Sequence, residues 1–176
     1  ILVIGNDKFV GFFDDDQALW GREIFGYPIL GPINAFHNYL IDGFIVGIGD
    51  NLSRKKEFDR LKSAGMKLVT ITHPRATIAR GVVLGEGVIV LANVVINSST
   101  QIASNSILNT ACTVDHDCII GAHTHVAPGV NIAGEVRLGE GVFAGIGAKI
   151  IPKISIGDWA TIGAGAVVTR SIGDGM

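Results

Sequence analysis

Broken into blocks of six, residues 78–120 read IARGVV, LGEGVI, VLANVV, INSSTQ, IASNSI, LNTACT, VDHDCI and I, and an aliphatic residue opens every block. The register runs on without insertion through Ile78, Leu84, Val90, Ile96, Ile102, Leu108, Val114, Ile120, Val126, Ile132, Leu138, Ala144, Ile150, Ile156, Ile162 and Val168. An α-helix repeats at about 3.6 residues and a strand at about two, so neither gives this period. A coil of short parallel strands does.

Four residues after each aliphatic the side chain is small or β-branched: Val82, Val88, Val94, Thr100, Ser106, Cys112, Cys118, Thr124, Val130, Val136, Val142, Ala148, Ile154, Ala160 and Ala166. Two inward positions per hexad predict one face of a three-sided prism, with three hexads per turn and successive turns stacked at about 4.8 Å. Residues eighteen apart then lie one above another. The near-duplicates Leu84-Gly85-Glu86-Gly87-Val88 and Leu138-Gly139-Glu140-Gly141-Val142 are 54 residues apart, three whole turns. Unrelated strands in a sandwich would not hold one phase over this length.

Apolar residues make up 48% of the chain, charged residues 17%, and the formal net charge is -2, a composition that offers no basic surface for nucleic acid. Gly87 to Val114 carries no charge and exceeds a membrane span in length, but Asn93, Asn97, Ser98, Ser99, Thr100, Gln101, Ser104, Asn105 and Ser106 interrupt it. The stretch is therefore prism wall, and no membrane insertion is expected. No basic, apolar leader opens the chain, so the expected location is the cytoplasm. Cys112 and Cys118 fall on consecutive small inward positions and are expected to be reduced core residues.

Residues 1–74 are organised differently. Apolar runs at 1–4, 9–13, 43–48 and 67–71 read as strands; Ser53 to Ala64 reads as a helix with Phe58 and Leu61 on one face, and Ile33 to Tyr39 as a shorter helix after Pro32. Strands alternating with helices imply a parallel sheet. One junction conflicts: the first two runs are separated by little more than Gly5, Asn6, Asp7 and Lys8, too few for a parallel crossover. Either they form a hairpin or a segment is missing between Gly5 and Asn6, and the start at Ile1 rather than methionine favours the second.

These elements together carry a resemblance. The opening Ile-Leu-Val-Ile-Gly, the Phe13-Asp14-Asp15 step, Gly47-Ile48-Gly49-Asp50-Asn51 with Arg54-Lys55-Lys56, Thr72-His73-Pro74, and hexads bearing Asn109-Thr110 and Asp115-His116-Asp117-Cys118 resemble the sialic acid O-acetyltransferase family. That family includes the nucleotide-linked amino-sugar N-acetyltransferases of the bacillosamine and perosamine type. The resemblance implies an α/β nucleotide-sugar-binding domain over residues 1–74, with a Rossmann-like parallel sheet and a glycine-rich loop and helix after the first strand. A left-handed β-helix over residues 75–176 follows, in homotrimers whose active sites lie between neighbouring prisms.

His116 sits near a corner of its hexad rather than at an inward position. An imidazole suits the removal of a proton from a sugar amine or hydroxyl as it attacks a thioester, and a flanking carboxylate orients the ring. The resemblance makes His116 the general base, with Asp117 in place of a carboxylate partner that is often glutamate. It places Asn109 and His125 at the acceptor and thioester site, where Asn109 could bond the acceptor or His116. Acetyl-CoA is the expected cosubstrate, with no metal. Gly134, eighteen residues after His116, offers a backbone N–H to polarise the thioester carbonyl, and Gly145, Ile146 and Ala164 would flank the pantetheine arm. His123 reads as a surface residue.

On the N-terminal side Gly5, Asp14 and Asp15, at strand ends, and Gly49, Asp50 and Asn51, where a strand meets a helix, are the candidates for holding the nucleotide-sugar acceptor; capping alone would explain Asn51, and a solvated face Arg54. The expected function is acetyl transfer to the amine of a nucleotide-linked 4-amino-6-deoxy sugar by direct attack. The alternatives are sialic acid O-acetylation and a non-catalytic nucleotide-sensing scaffold. A zinc hydratase would need an earlier histidine aligned with a later pair, and none lies between His73 and His116. Flat walls rich in Val and Ile independently favour packing of three prisms about an axis.

Overall fold

The computed structural model describes the backbone of residues 2–5 and residues 8–176 in full. From residue 71 onward the chain winds into a prism of about five turns with three walls of two-residue strands. The first wall stacks Ile71–Thr72, Ile89–Val90, Ile107–Leu108, His125–Val126, Phe143–Ala144 and Thr161–Ile162. The second stacks six strands from Thr77–Ile78 to Val167–Val168, and the third five from Val83–Leu84 to Ser155–Ile156. Every ladder is parallel and its register step is eighteen residues, as in Val95↔Thr113↔Asn131, so the stacking expected from the period is the stacking found. Because Ile71–Thr72 pairs with Ile89–Val90, the first prism strand precedes residue 75.

Both inward series fill the interior: Val94, Ile96, Leu108, Val114, Ile120, Val126, Val130 and Val136 are fully buried. Each such aliphatic contributes roughly 1.5–3 kcal/mol of transfer free energy. Where the inward residue is polar, its hydroxyl reaches a corner carbonyl of the next turn: Thr100 Oγ1 to Asp115 O at 2.8 Å, Ser106 Oγ to Gly121 O at 3.0 Å, Thr124 Oγ1 to Gly139 O at 3.1 Å. Cys112 and Cys118 are free and buried among them. The uncharged stretch is wall, and among the described residues no helix is long and apolar enough to cross a membrane.

The corners explain a second period of six. The left-handed backbone recurs at residues 81, 87, 93, 99 and so on to 165, with φ between 57° and 80°. Glycine holds some of these positions, but Asn93, Asn105, Asp117, His123 and Glu135 hold others. The cost of that conformation is met by a fixed bond to the turn below, such as Asp117 N–H to Ser98 O at 3.0 Å and Glu135 N–H to His116 O at 2.9 Å.

The N-terminal region is an α/β unit; the expected parallel pairing is found between Phe44 and Leu68, but the three-stranded sheet itself is antiparallel. Strand β1 (Leu2–Gly5) lies between β2 (Lys8–Phe12) and β5 (Gly43–Ile45) and runs antiparallel to both. A connection as short as that between Gly5 and Lys8 permits a hairpin and no crossover. The expected break between Gly5 and Asn6 falls on Asn6 and Asp7, outside the described residues. Strands β3 (Glu23–Ile24) and β4 (Tyr27–Pro28) make a second hairpin, and residues 33–38 form a 3₁₀ rather than an α-helix. Helix α1 (Asn51–Ser63) opens two residues before the predicted Ser53, capped by Asp50, whose Oδ2 accepts the Ser53 N–H at 2.8 Å.

Phe13, Ile33, Phe36, Phe44, Val46, Phe58, Leu61 and Leu68 form this unit's own core. Ile45 also packs with Ile89 and Ile107, which docks the sheet on the first wall. The joint is completed by Arg54, expected on a solvated or phosphate-facing side of the helix and found completely buried. Helical spacing cannot reveal which face meets a second unit.

Candidate active site

His116 stands on the edge between the second and third walls, just before the left-handed residue Asp117. That conformation swings the Asp117 carboxylate back alongside the preceding ring, and Oδ2 lies 2.8 Å from His116 Nδ1. The direct contact exists despite the shorter side chain. Hydrogen bonding to Asp117 pushes the His116 pKa up, with Asp115 and Glu135 adding to it. Asp115 fixes the backbone at this edge: its Oδ1 accepts the His116 N–H at 2.9 Å and Asn97 Nδ2 at 2.8 Å, and the first of these holds its own pKa down.

One turn above, Gly134 provides a platform for the ring. A Cβ built there would lie 2.7 Å from both Cε1 and Nε2 of His116, so Nε2 lies over Gly134 while Nδ1 is held by the carboxylate. The Gly134 carbonyl accepts from Lys153 N–H at 3.1 Å, whereas its N–H meets no acceptor among the described residues.

The second cluster is on the first wall. His125 Nε2 lies 3.1 Å from Asn109 Nδ2, and His125 Nδ1 lies 3.2 Å from the Gly49 carbonyl. Asn109 Oδ1 is occupied by the Thr110 N–H at 2.8 Å, which turns its NH₂ group toward the ring. Nε2 is therefore the acceptor and Nδ1 carries the proton. Burial, followed by the Arg54 charge, draws the His125 pKa down against the bond to Gly49. Phe143, eighteen residues on, packs edge-to-face on this ring at 5.5 Å.

Asn109 thus pairs with His125, and the expected bond to His116 is not made, because the second wall separates the two edges. Gly145, Ile146 and Ala164 share the edge of Asn109. Ile146 and Ala164 are exposed, but Gly145 has no room for a Cβ, which would stand 2.6 Å from Ile162 O. Packing between coils accounts for that glycine.

His123, expected at the surface, is buried: its Nδ1 lies 2.7 Å from Asn105 Nδ2, and its ring packs edge-to-face on Phe58 in the joint. Burial draws its pKa down. His116, His125 and His123 thus occupy one edge, one wall and one interior corner of the prism.

Gly49, Asp50, Asn51 and Leu52 face His125, Phe143, Trp159 and Thr161 across a cleft of about 630 Å³ between α1 and the first wall. The Asn51 side chain is not free to bind there, since Nδ2 donates to Gly141 O at 2.9 Å and Oδ1 accepts from Arg54 Nη2 at 2.8 Å. Asp15 Oδ1 accepts the Ile33 N–H at 2.8 Å, and Asp14 Oδ1 that of Asp16 at 2.9 Å, so both aspartates already brace the turn after β2. Gly5 closes β1. Phe143 was legible as a site residue from its place one turn above His125, whereas Leu52 and Trp159 had no such signal.

A parallel prism joined to an α/β unit, with a histidine–carboxylate pair on one edge, defines a hexapeptide-repeat transferase. The chain belongs to the sugar acetyltransferases of this class: residues 1–61 match the PglD N-terminal domain and residues 135–170 the bacterial transferase hexapeptide repeat. It is 32% identical over 148 residues to the GDP-perosamine N-acetyltransferase of Escherichia coli O157:H7, covering 83% of this chain and 66% of that protein's length. The acetyltransferase domain of PglB from Neisseria gonorrhoeae FA1090 superposes with a TM-score of 0.89 at 34% identity, over 94% of this chain and 81% of that one. PerB from Caulobacter crescentus, solved with CoA and GDP-perosamine, superposes with a TM-score of 0.83 at 39% identity, over 86% and 74% of the two chains.

Proposed function

We propose that this chain transfers acetyl from acetyl-CoA to the amine of a nucleotide-linked 4-amino-6-deoxy sugar, with His116 as general base. The observation that carries the reading is the His116–Asp117 pair at 2.8 Å with Nε2 directed over Gly134. A carboxylate on Nδ1 keeps the proton there and leaves the Nε2 lone pair for the substrate.

Acetyl-CoA supplies the activated acyl carbon. As the sugar nitrogen bonds to that carbon, His116 Nε2 takes the amine proton, and it returns the proton to the departing thiolate when the carbon–sulfur bond breaks. The unoccupied Gly134 N–H is suited to stabilise charge on the thioester oxygen. Acyl transfer through a cysteine is disfavoured, since burial pushes the Cys112 thiol up to about 12 and also raises that of Cys118. The perosamine enzymes, whose names specify N-acetylation and one of which is solved with CoA and a GDP-sugar, support the amine as acceptor.

The placement of the two clusters supports a homotrimer. His116 lies on one edge, and Asn109, His125 and the α1 cleft lie beyond the second wall, so a complete site takes the edge of one copy and the first wall of another. The test is release of free thiol from acetyl-CoA with GDP- and UDP-linked 4-amino sugars, beside free and CMP-linked sialic acid. Turnover with an amino sugar, lost in His116→Ala, supports the reading; turnover with sialic acid alone overturns it.

A further inference from the structure

Arg54 places a positive charge at zero exposure, and among the described residues no carboxylate lies within ion-pair distance of it, Asp50 acting on it only through its charge. Desolvation draws its pKa down to about 10. An apolar side chain could fill such a joint without burying a charge. What an apolar side chain could not do is bind carbonyls, and those that Arg54 takes surround His125. Nη1 donates to Gly49 O at 3.1 Å and to Ile48 O at 3.0 Å, and Gly49 O is the acceptor of His125 Nδ1–H. Nη2 donates to His123 O at 2.7 Å and Thr124 O at 3.4 Å, the two peptide units leading into His125. Nε donates to Asn105 O at 3.0 Å, one turn below His123.

We propose that Arg54 is a positioning residue: its guanidinium ties the Gly49 carbonyl to the backbone that carries His125, holding that imidazole as the Nδ1–H tautomer with Nε2 turned to Asn109. One planar group thereby couples the loop that opens α1, on the acceptor side of the cleft, to the histidine on the prism. A kinetic effect of this coupling rests on the reading of His125 as part of the acetyl-CoA site; the tautomer itself does not.

The test uses the full chain as wild type, Arg54→Gln, Arg54→Lys and Phe44→Leu. Phe44→Leu loosens the core of the N-terminal unit but leaves the hydrogen bonds of Arg54 and the carbonyls around His125 in place. Imidazole ¹⁵N shifts, with the His125 signal assigned by its loss in His125→Gln, read the tautomer without any substrate. Thiol release reads KM for acetyl-CoA separately from kcat. The wild type should show Nδ1–H alone. Arg54→Gln should show a tautomer mixture and a KM for acetyl-CoA raised roughly tenfold, the factor for one lost hydrogen bond, with a smaller change in kcat. Arg54→Lys should fall between them, and Phe44→Leu should lower Tm with the wild-type spectrum and KM. A single Nδ1–H tautomer in Arg54→Gln would overturn the proposal, as would an equal shift of tautomer and KM in Phe44→Leu. If Arg54→Gln does not fold, the spectrum of Arg54→Lys decides: a mixture supports the proposal and a wild-type spectrum overturns it. A protein that acetylates no acceptor but shows the tautomer shift would retain Arg54 in this role while sinking the enzymatic reading.

Discussion

Substituting Gly134→Ala should separate catalysis from stability. The added methyl would stand 2.7 Å from Cε1 and Nε2 of His116, whereas carbon atoms settle at about 3.5 Å or more. The ring must therefore retreat by about 0.8 Å. His116 is exposed, so it can swing toward solvent at little energetic cost, and Gly134 is not among the glycines with left-handed φ that alanine would strain. The expected change in stability is within about 0.5 kcal/mol, or about 1–2 °C in Tm for a chain of this size. In the proposed reaction the same displacement moves His116 relative to the reacting amine and tilts its bond to Asp117. A misplacement near 1 Å costs about a hundredfold in rate, or ~2.7 kcal/mol of transition-state stabilisation. Thiol release under kcat/KM conditions, beside a thermal melt, measures both. A variant with wild-type kcat/KM would show that the ring does not work from its place over Gly134.

Asp117→Asn removes the main cause of the raised His116 pKa. The neutral base is lost as pH falls through that value, so the acid limb of the pH–rate profile should move to lower pH while the plateau rate falls by roughly 10- to 100-fold; an unmoved limb would show that Asp117 does not tune the ring. Thr100→Val should destabilise the fold by about 1–3 kcal/mol in chemical denaturation, because Thr100 Oγ1 both donates to Asp115 O and accepts the buried Cys118 N–H at 3.2 Å. Neither thiol should react with an aromatic disulfide reagent in the native protein, and both should react on unfolding, since they are buried with raised pKa values; rapid native labelling would contradict the inward assignment of Cys112 and Cys118.

Much of the prism was legible because its constraint is local and repeated. Each coil must put an aliphatic and a small residue inside, and eighteen residues bring the chain back over itself, so Val95, Thr113 and Asn131 were bound to stack. The same arithmetic placed Gly134 above His116 and put His116 off the core. The Asp117 contact was less legible, since it depends on the left-handed corner that turns its carboxylate back on the ring.

The N-terminal unit shows the opposite case. Ile45 and Phe58 could be recognised as buried, but their partners Ile89 and His123 lie in the prism, and no periodicity spans the two units. Arg54 looked like one of three basic residues on a helix face, and only docking against Asn105, His123 and Thr124 buries it. Likewise the alternation of strands and helices implies a parallel sheet, whereas β1 pairs antiparallel with both β2 and β5, a sense set by how separate segments meet.

By itself the sequence determined the coil, its inward residues and the chemical character of the His116 edge, since all three follow from side-chain type at a fixed short interval. Only the tertiary structure decided that Asn109 serves His125 rather than His116, that Arg54 lies inside the joint, and that the two histidine clusters face away from each other across the second wall. Those facts depend on how separate surfaces meet, and the free energy of that meeting comes from pairs of residues far apart in the chain, which no local period records.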